Sequence, residues 1–255
     1  MQKTQPKVSV IIPAYNEEKY IVRTLDALLQ QDYENYEVIV VNNASTDRTV
    51  EVVSSFIYQN ELTFKFRLLH EKNQGTQFAR ERGRKTSTGK IIAQLDADCI
   101  PPANWISMGV RLMQAKNIAA VAGPYDYFDS KFLIRTLTYI SQLFILQPLN
   151  SLVQLLKKGG VIIGGNVFIH ASILERSGGY NTALRFYGDD VDIALKVSRY
   201  GHILFTKKIM VKSSSRRYKE TGFFQVQSKY TKAFFQTIFQ KGMAQQDSIE
   251  LVHPR

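Results

Sequence analysis

Asp96-Ala97-Asp98 sets two carboxylates around one small residue, directly after the apolar run Ile91–Leu95. Buried carboxylates need partners and adjacent ones repel, so the pair makes chemical sense around a divalent cation. Mg²⁺ or Mn²⁺ takes oxygen ligands and bridges one or two protein carboxylates to substrate phosphates. The competing explanation is structural: a helix opening at Pro101-Pro102 with Asp98 as its acidic neighbour. A second acidic group, Asp189-Asp190 with Asp192, follows Gly188. Acids at the positive end of a helix explain the first two of these, but not a third crowded into the same turn. Tyr15-Asn16-Glu17 and Asn42-Asn43 each follow a β-branched apolar run. Turn chemistry explains any one polar cluster well and all of them together less well.

The elements that must position these groups follow from periodicity. Val8–Ile12, Val38–Val41, Phe64–Leu69 and Ile91–Leu95 read as strands. Between them, 17–31, the segment carrying Val50, Val53 and Ile57, and 76–84 read as helices, with Ser45 or Thr46 as the cap of the second. This β-α-β-α order predicts an α/β fold with a mostly parallel sheet and helices on both faces. Ligands bind beyond the carboxyl ends of the strands in such sheets, where the polar clusters fall. Further on, 105–115 reads as a helix, 119–123 and 167–170 as strands, 171–178 as a short helix, and 203–211 as a strand.

Residues 132–156 are apolar and helix-like, with no charge from Thr136 to Leu156. Thr, Ser, Gln and Asn run through the segment together with Pro148, which argues against a transmembrane span. An interfacial helix and a helix covering the core both remain open.

The chain has 255 residues and a net charge of +11. From Lys196 onward twelve Lys/Arg face three Asp/Glu, so the excess lies in the last quarter, interleaved with Phe223, Phe224, Tyr230, Phe234, Phe235 and Phe239. This pattern fits an anionic membrane surface, with packing of an apolar helix face as the alternative. No signature of a nucleic-acid module is present, and no nucleic-acid partner is expected. The single cysteine, Cys99, excludes an internal disulfide and points to a reducing compartment. The start, Met1 to Lys7, is polar and carries no signal-peptide pattern. A cytoplasmic location, peripheral on the inner face of the cell membrane, is expected.

The stretch Lys7-Val-Ser-Val-Ile-Ile-Pro-Ala-Tyr-Asn-Glu-Glu18 resembles the opening of family 2 glycosyltransferases, which have the GT-A fold. Val41-Asn42-Asn43-Ala44-Ser45-Thr46-Asp47, Asn73-Gln74-Gly75 with Ala79-Arg80, Leu95-Asp96-Ala97-Asp98, Gly178-Gly179-Tyr180 and Gly188-Asp189-Asp190 resemble further motifs of that family. Their order and spacing match from about Lys7 to Gly201. The resemblance implies one Rossmann-like GT-A domain with a nucleotide-binding half at about 7–100, a smaller acceptor-binding half at about 101–211, and a basic aromatic tail at 212–255.

The same resemblance implies roles. Pro13, Tyr15 and Glu17 line the nucleotide pocket, with Tyr15 placed to stack on the base. Asn43 stands where the family often has a base-reading Asp; an amide pairs with uracil or thymine, which favours a UDP-sugar. Arg80 balances the diphosphate, Asp96 holds the ribose, and Asp98 coordinates Mg²⁺ or Mn²⁺. Asp190 is the general base that takes the acceptor hydroxyl's proton. Gly165, Asn166 and Asp189 contribute to the acceptor side.

Two departures stand out. No histidine occurs near Val211-Lys212-Ser213-Ser214, where many relatives supply a metal ligand, leaving Lys212 or Arg216-Arg217 for charge balance. The Gln-x-x-Arg-Trp element of processive synthases is absent. The expected activity is inverting transfer of one sugar to a saccharide or lipid-linked acceptor, in cell-surface polysaccharide or glycolipid synthesis. The rival activities are nucleotidyl transfer, which would want a Gly-rich basic loop after the first strand, and non-catalytic nucleotide-sugar sensing.

Overall fold

The computed structural model describes residues 5–156, 159–184 and 188–222, together with 225 and 228. Tyr187 and the aromatic and basic tail positions from Phe223 to Lys241 lie outside the described residues.

The first half alternates as expected: β1 (Val8–Ala14), α1 (Ile21–Leu29), β2 (Tyr36–Asn42), α2 (Thr49–Gln59), β3 (Phe66–His70), α3 (Thr76–Thr86) and β4 (Ile91–Leu95). Then come β5 (Cys99–Ile100), α4 (Trp105–Met113), β6 (Ile118–Ala122) and β7 (Tyr125–Tyr127). A long helical rod follows: α5 (Phe132–Ser141), a π-helical turn (Gln142–Leu146) and α6 (Gln147–Leu155). The chain continues with β8 (Asn166–His170), α7 (Ala171–Arg176), α8 (Asp189–Val197) and β9 (His202–Phe205). A 3₁₀ turn (Lys207–Ile209), β10 (Val211–Ser213) and α9 (Arg216–Thr221) complete it.

The main sheet has the order β3-β2-β1-β4-β8-β6-β9. The strands on the β1 side are parallel, and β8 runs antiparallel to both β4 and β6. A small sheet, β5-β10-β7, stands beside it. Alternation along β1 sends Val8, Val10 and Ile12 to one face and Ile11 to the other, as the period of two requires. The first face packs on α1, α2 and α4 through Leu25, Leu28, Val53, Ile106 and Val110. The second packs on α3, α7 and α8 through Ala79, Leu174, Ile193 and Val197. Both faces are therefore covered, as parallel strands demand.

Several expectations change in detail. Glu17–Tyr20 is a turn, with the Tyr20 and Ile21 N–H groups both donating to the Glu17 carbonyl at 3.0 Å, so α1 starts later. Neither Ser45 nor Thr46 caps α2; the Asp47 carboxylate accepts the Thr49 N–H at 2.9 Å instead. Phe64 is exposed, because the Lys65 and Phe66 N–H groups fold back to the Leu62 carbonyl and delay β3. The expected strand 203–211 breaks where the Thr206 side chain accepts from the Lys208 N–H and caps the 3₁₀ turn. Among the described residues, no helix is long and apolar enough to cross a membrane.

Candidate active site

The loops after β1 and β2 first hold each other. Asn16 and Ala44 both adopt left-handed backbone, at φ +56° and +59°, a conformation Asn tolerates better than Ala. The Asn16 N–H donates to Ser45 Oγ at 3.0 Å, and the Thr46 N–H donates to Asn16 Oδ1 at 2.8 Å. The Glu17 N–H reaches Thr49 Oγ1 at 2.8 Å. These turn residues thus do structural work first, and they leave Pro13 and Tyr15 half-buried at the sheet edge. The Asn43 carboxamide is buried: its oxygen accepts the Gly75 N–H and its NH₂ donates to the Asn73 carbonyl, both at 2.7 Å. Asn43 therefore shapes the 73–75 loop, and its amide is not presented openly to a base.

Arg80 stands at the centre of the site. It lies on the inward face of α3, and its side chain is 6% exposed. Its guanidinium meets Asp189 at 2.9 Å, Asp190 at 3.6 Å and Asp96 at 3.6 Å. Burial works against this charge, and Asp189, Asp190 and Asp96 together overcome it. Arg80, expected to balance the diphosphate, is surrounded here by three carboxylates from two distant segments. Asp189 Oδ2 also accepts from Gln77 Nε2 at 2.5 Å, so Asp189 is tied to α3. Asp190 is pushed up to about 7 by burial and by Asp189, against the pull of Arg80 and of the Gly164 N–H. Both acids open α8 behind Gly188 at φ +95°, so the helix-start explanation and the site coexist. Asp192 is turned to Lys196 at 2.7 Å and does not crowd the site.

Gly164 and Gly165 form the floor. A Cβ on Gly164 would lie 2.0 Å from Asp190 Oδ1, and one on Gly165 would lie 2.0 Å from Asp96 Oδ2 and 2.1 Å from the Tyr125 hydroxyl. Only glycine permits the acids to stand there. The Asp96 N–H donates to the Gly165 carbonyl at 3.3 Å, and the Tyr125 hydroxyl donates to Asp96 Oδ2 at 3.0 Å. Asn166, expected on the acceptor side, is corrected to a bracket in the core. It is fully buried, accepts from Trp105 Nε1 at 2.9 Å and donates to the Ile209 carbonyl at 2.8 Å.

The other pole is Glu17 with Asp98. Arg216, at the start of α9, pairs with both Glu17 oxygens and brings its Nε to 3.2 Å from Asp98 Oδ2. Its guanidinium also covers the Tyr20 ring at 4.8 Å. Burial pushes the Glu17 carboxyl up to about 7, although Arg216 pulls it down. Asp129 fixes the approach of α9 by accepting the Ser215 N–H at 2.6 Å and Lys219 Nζ at 3.1 Å.

Ligand atoms of Asp96, Asp98 and Cys99 lie within 4.8 Å of one another. The two carboxylates suit a hard divalent cation. Cys99 does not, because its soft sulfur is a poor match for such a cation. The residues present thus fit Mg²⁺ or Mn²⁺ at Asp98 with Asp96 alongside.

Tyr125, Gln77 and Gly164 escaped the sequence reading. Each acts through one long-range contact that no local motif announces. Arg216 was legible only as one of several cations; Lys212 is exposed, and the Arg217 side chain lies outside the described residues.

Comparison with known proteins bears on the family and the fold. The model of "Glycosyl transferase family 2" matches residues 9–178. Glycosyltransferase AglE of Haloferax volcanii is 39% identical over 132 residues, 50% of this chain and 42% of that protein. The probable glycosyltransferase YdaM of Bacillus subtilis is 30% identical over 220 residues, 80% of this chain and 49% of that protein. This chain thus spans less than half the length of either relative. The mannosyltransferase PcManGT of Pyrobaculum calidifontis, solved in complex with GDP-Man and Mn²⁺, superposes with a TM-score of 0.71 at 22% identity, covering 94% of this chain and 66% of that one. TarS of S. aureus in complex with UDP-GlcNAc gives 0.56 at 18% identity, covering 82% of this chain and 58% of that one. With acids from the first, second and third quarters gathered at the carboxyl edge of a mostly parallel sheet, and a family model matched over most of the chain, this protein belongs to glycosyl transferase family 2 and has the GT-A fold.

Proposed function

We propose that this protein moves a sugar from a nucleotide-diphosphate sugar, with UDP-sugar favoured, to an acceptor hydroxyl with inversion at the anomeric carbon. The observation that carries the reading is the convergence of Asp96, Asp189 and Asp190 on the buried Arg80. The nucleotide-binding half is residues 7–100, the acceptor half 101–211, and the tail 212–255. The nucleotide sugars held by PcManGT and TarS support this donor class.

Asp190 serves as the general base. Its raised pKa, about 7, matches a carboxylate that must accept a proton near neutrality. Arg80 and Gly164 hold it in place, and Asp189 anchors the same helix start to α3. Asp96, fixed by Tyr125 and the Gly165 carbonyl, is placed for the ribose. Pro13, Tyr15 and the 73–75 loop built by Asn43 wall the base. Arg216 supplies the cation at the phosphates, in place of the absent histidine. A Mg²⁺ or Mn²⁺ ion held by Asp98 would neutralise the departing diphosphate. The acceptor is a saccharide or lipid-linked hydroxyl of cell-surface polysaccharide or glycolipid synthesis on the cytoplasmic face of the membrane.

The test is release of nucleoside diphosphate from a panel of UDP-, dTDP- and GDP-sugars with Mn²⁺. Donor-dependent release that is lost in Asp190→Asn supports transfer. Binding of nucleotide with no release from any donor would favour sensing instead.

A further inference from the structure

From Phe132 to Leu155, α5, the π-helical turn and α6 form one rod, about 36 Å long at 1.5 Å per residue. A helix on a water-soluble surface turns its apolar side inward. Here the inward side is mixed, with Val153 buried and Leu146 and Leu149 packed on the core beside buried polar side chains, while many apolar side chains face outward. Thr138, Gln142 and Asn150 point into the protein and are buried. The Gln142 side chain accepts the Tyr125 N–H at 2.8 Å and donates to the Tyr125 carbonyl at 2.9 Å. Asn150 donates to the Ile203 carbonyl and accepts the Val161 N–H, both at 2.9 Å. Outward stand Leu133, Leu137, Ile140, Phe144, Leu152 and Leu155, with Phe144 73% and Leu155 79% exposed.

These exposed side chains run as an outward apolar stripe along the rod.

Charge says what covers it. Between Asp129 and Glu175 the sequence contains no Asp or Glu. Lys131 stands at the start of the rod, where Arg135 is paired with both Asp126 oxygens at 2.6 Å, and the sequence continues from its end with Lys157 and Lys158. An apolar stripe flanked in sequence by lysines, on a rod that itself carries no acid, is complementary to an anionic lipid surface. Among the described residues no helix is long and apolar enough to span a bilayer.

We propose that the Phe132–Leu155 rod beds flat into the headgroup region of an anionic bilayer, with Phe144 and its apolar neighbours among the acyl chains. This docking needs neither nucleotide nor metal and stands without the transfer reading. One consequence does rest on that reading. Gln142 holds the backbone of Tyr125, whose hydroxyl holds Asp96, so the rod is linked to the site through one residue, on the side where a lipid-linked acceptor would enter.

The test uses the full chain and phosphatidylcholine vesicles with about one third phosphatidylglycerol. Wild type is expected to sediment with these vesicles. The Leu137→Ser/Phe144→Ser/Leu155→Ser variant should keep the wild-type melting temperature, since all three side chains are exposed, and should partition at least roughly tenfold less. Cys99 is buried, so Phe144→Cys labels at one accessible thiol, and an environment-sensitive dye there should shift to the blue on vesicle binding. Equal partitioning of the triple variant, or an unshifted dye on bound protein, overturns the proposal. So does absence of vesicle binding by a wild type whose self-association the triple variant abolishes, which would make the stripe a contact between copies.

Discussion

Arg80→Met removes the positive charge at the centre of the site while keeping a long apolar stem. Removing one partner from a buried ion cluster costs about 3–5 kcal/mol, because the remaining charges stay behind uncompensated. Here the acids are not equally dry: Asp189 is 19% exposed, Asp190 28% and Asp96 38%. Solvent screens the last two, so the low end, about 3 kcal/mol, is expected. At about 2–4 °C per kcal/mol for a chain of this size, the melting temperature should fall by roughly 6–12 °C. The loss should depend on pH in a definite direction. Without Arg80, which pulls it down, Asp190 has a folded pKa raised still further above that of the unfolded chain. A raised carboxylate destabilises fully above its folded pKa, and the cost fades as pH falls through that value and the group protonates. Asp190 already stands at about 7 with Arg80 present. The gap between wild type and variant, measured by thermal unfolding, should therefore be wider at pH 8 than at pH 5.5. Adding Asp189→Asn to the variant should recover part of the loss. A gap of equal size at both pH values would mean a packing defect, and the argument from convergent charge would fail.

Gly165→Ala drives a methyl group into Asp96 and Tyr125; the displaced acid should abolish the thermal stabilisation given by UDP with Mn²⁺, and retained stabilisation would show that Asp96 does not touch the nucleotide. Asp190→Asn should keep that stabilisation while turnover falls by about 10²–10⁴, and in the wild type kcat/KM should climb as pH rises through about 7 and the base ionises. Asp129 is held down to about 2, its hydrogen bonds from Ser214, Ser215 and Lys219 overcoming the burial that raises it. Its contribution should be complete above about pH 4 and vanish as pH falls to about 2. At neutral pH, Asp129→Asn should loosen α9, which faster amide exchange across Arg216–Thr221 would reveal; unchanged exchange would mean that Asp129 does not fix Arg216.

The first half of the fold was legible because its strands are buried on both faces and its helices carry one apolar face, patterns that depend on near neighbours alone. Val38–Val41 could be little else. The site was legible to the extent that a carboxylate at a strand end has few structural uses. What could not be read was the partner of each polar group. Asn43 and Asn166 are both amides at strand ends, and nothing local says that one braces a loop while the other is sealed against Trp105. Arg80 shared its helix with Arg82, Arg84 and Lys85, and only the arrival of Asp189 and Asp190, more than a hundred residues later, turns it inward. The 132–156 segment showed its apolar content but not its orientation, because Gln142 and Asn150 find their partners on β7 and β9.

The antiparallel strand β8 lies between β4 and β6, although β6 precedes it in the chain. As the polypeptide leaves the ribosome, β4 has no partner on that side until residues 166–170 have been made. An unpaired central strand invites association with other chains, so the interval between residues 95 and 166 is the vulnerable period of biosynthesis. Closing that ladder requires contacts of long sequence separation, which form slowly. The same ladder sets Gly165 beneath Asp96 through the pairing of Leu95 with Asn166. Pairing of β8 thus closes the centre of the sheet and sets the glycine floor beneath Asp96 together, before α8 and α9 bring Asp189, Asp190 and Arg216.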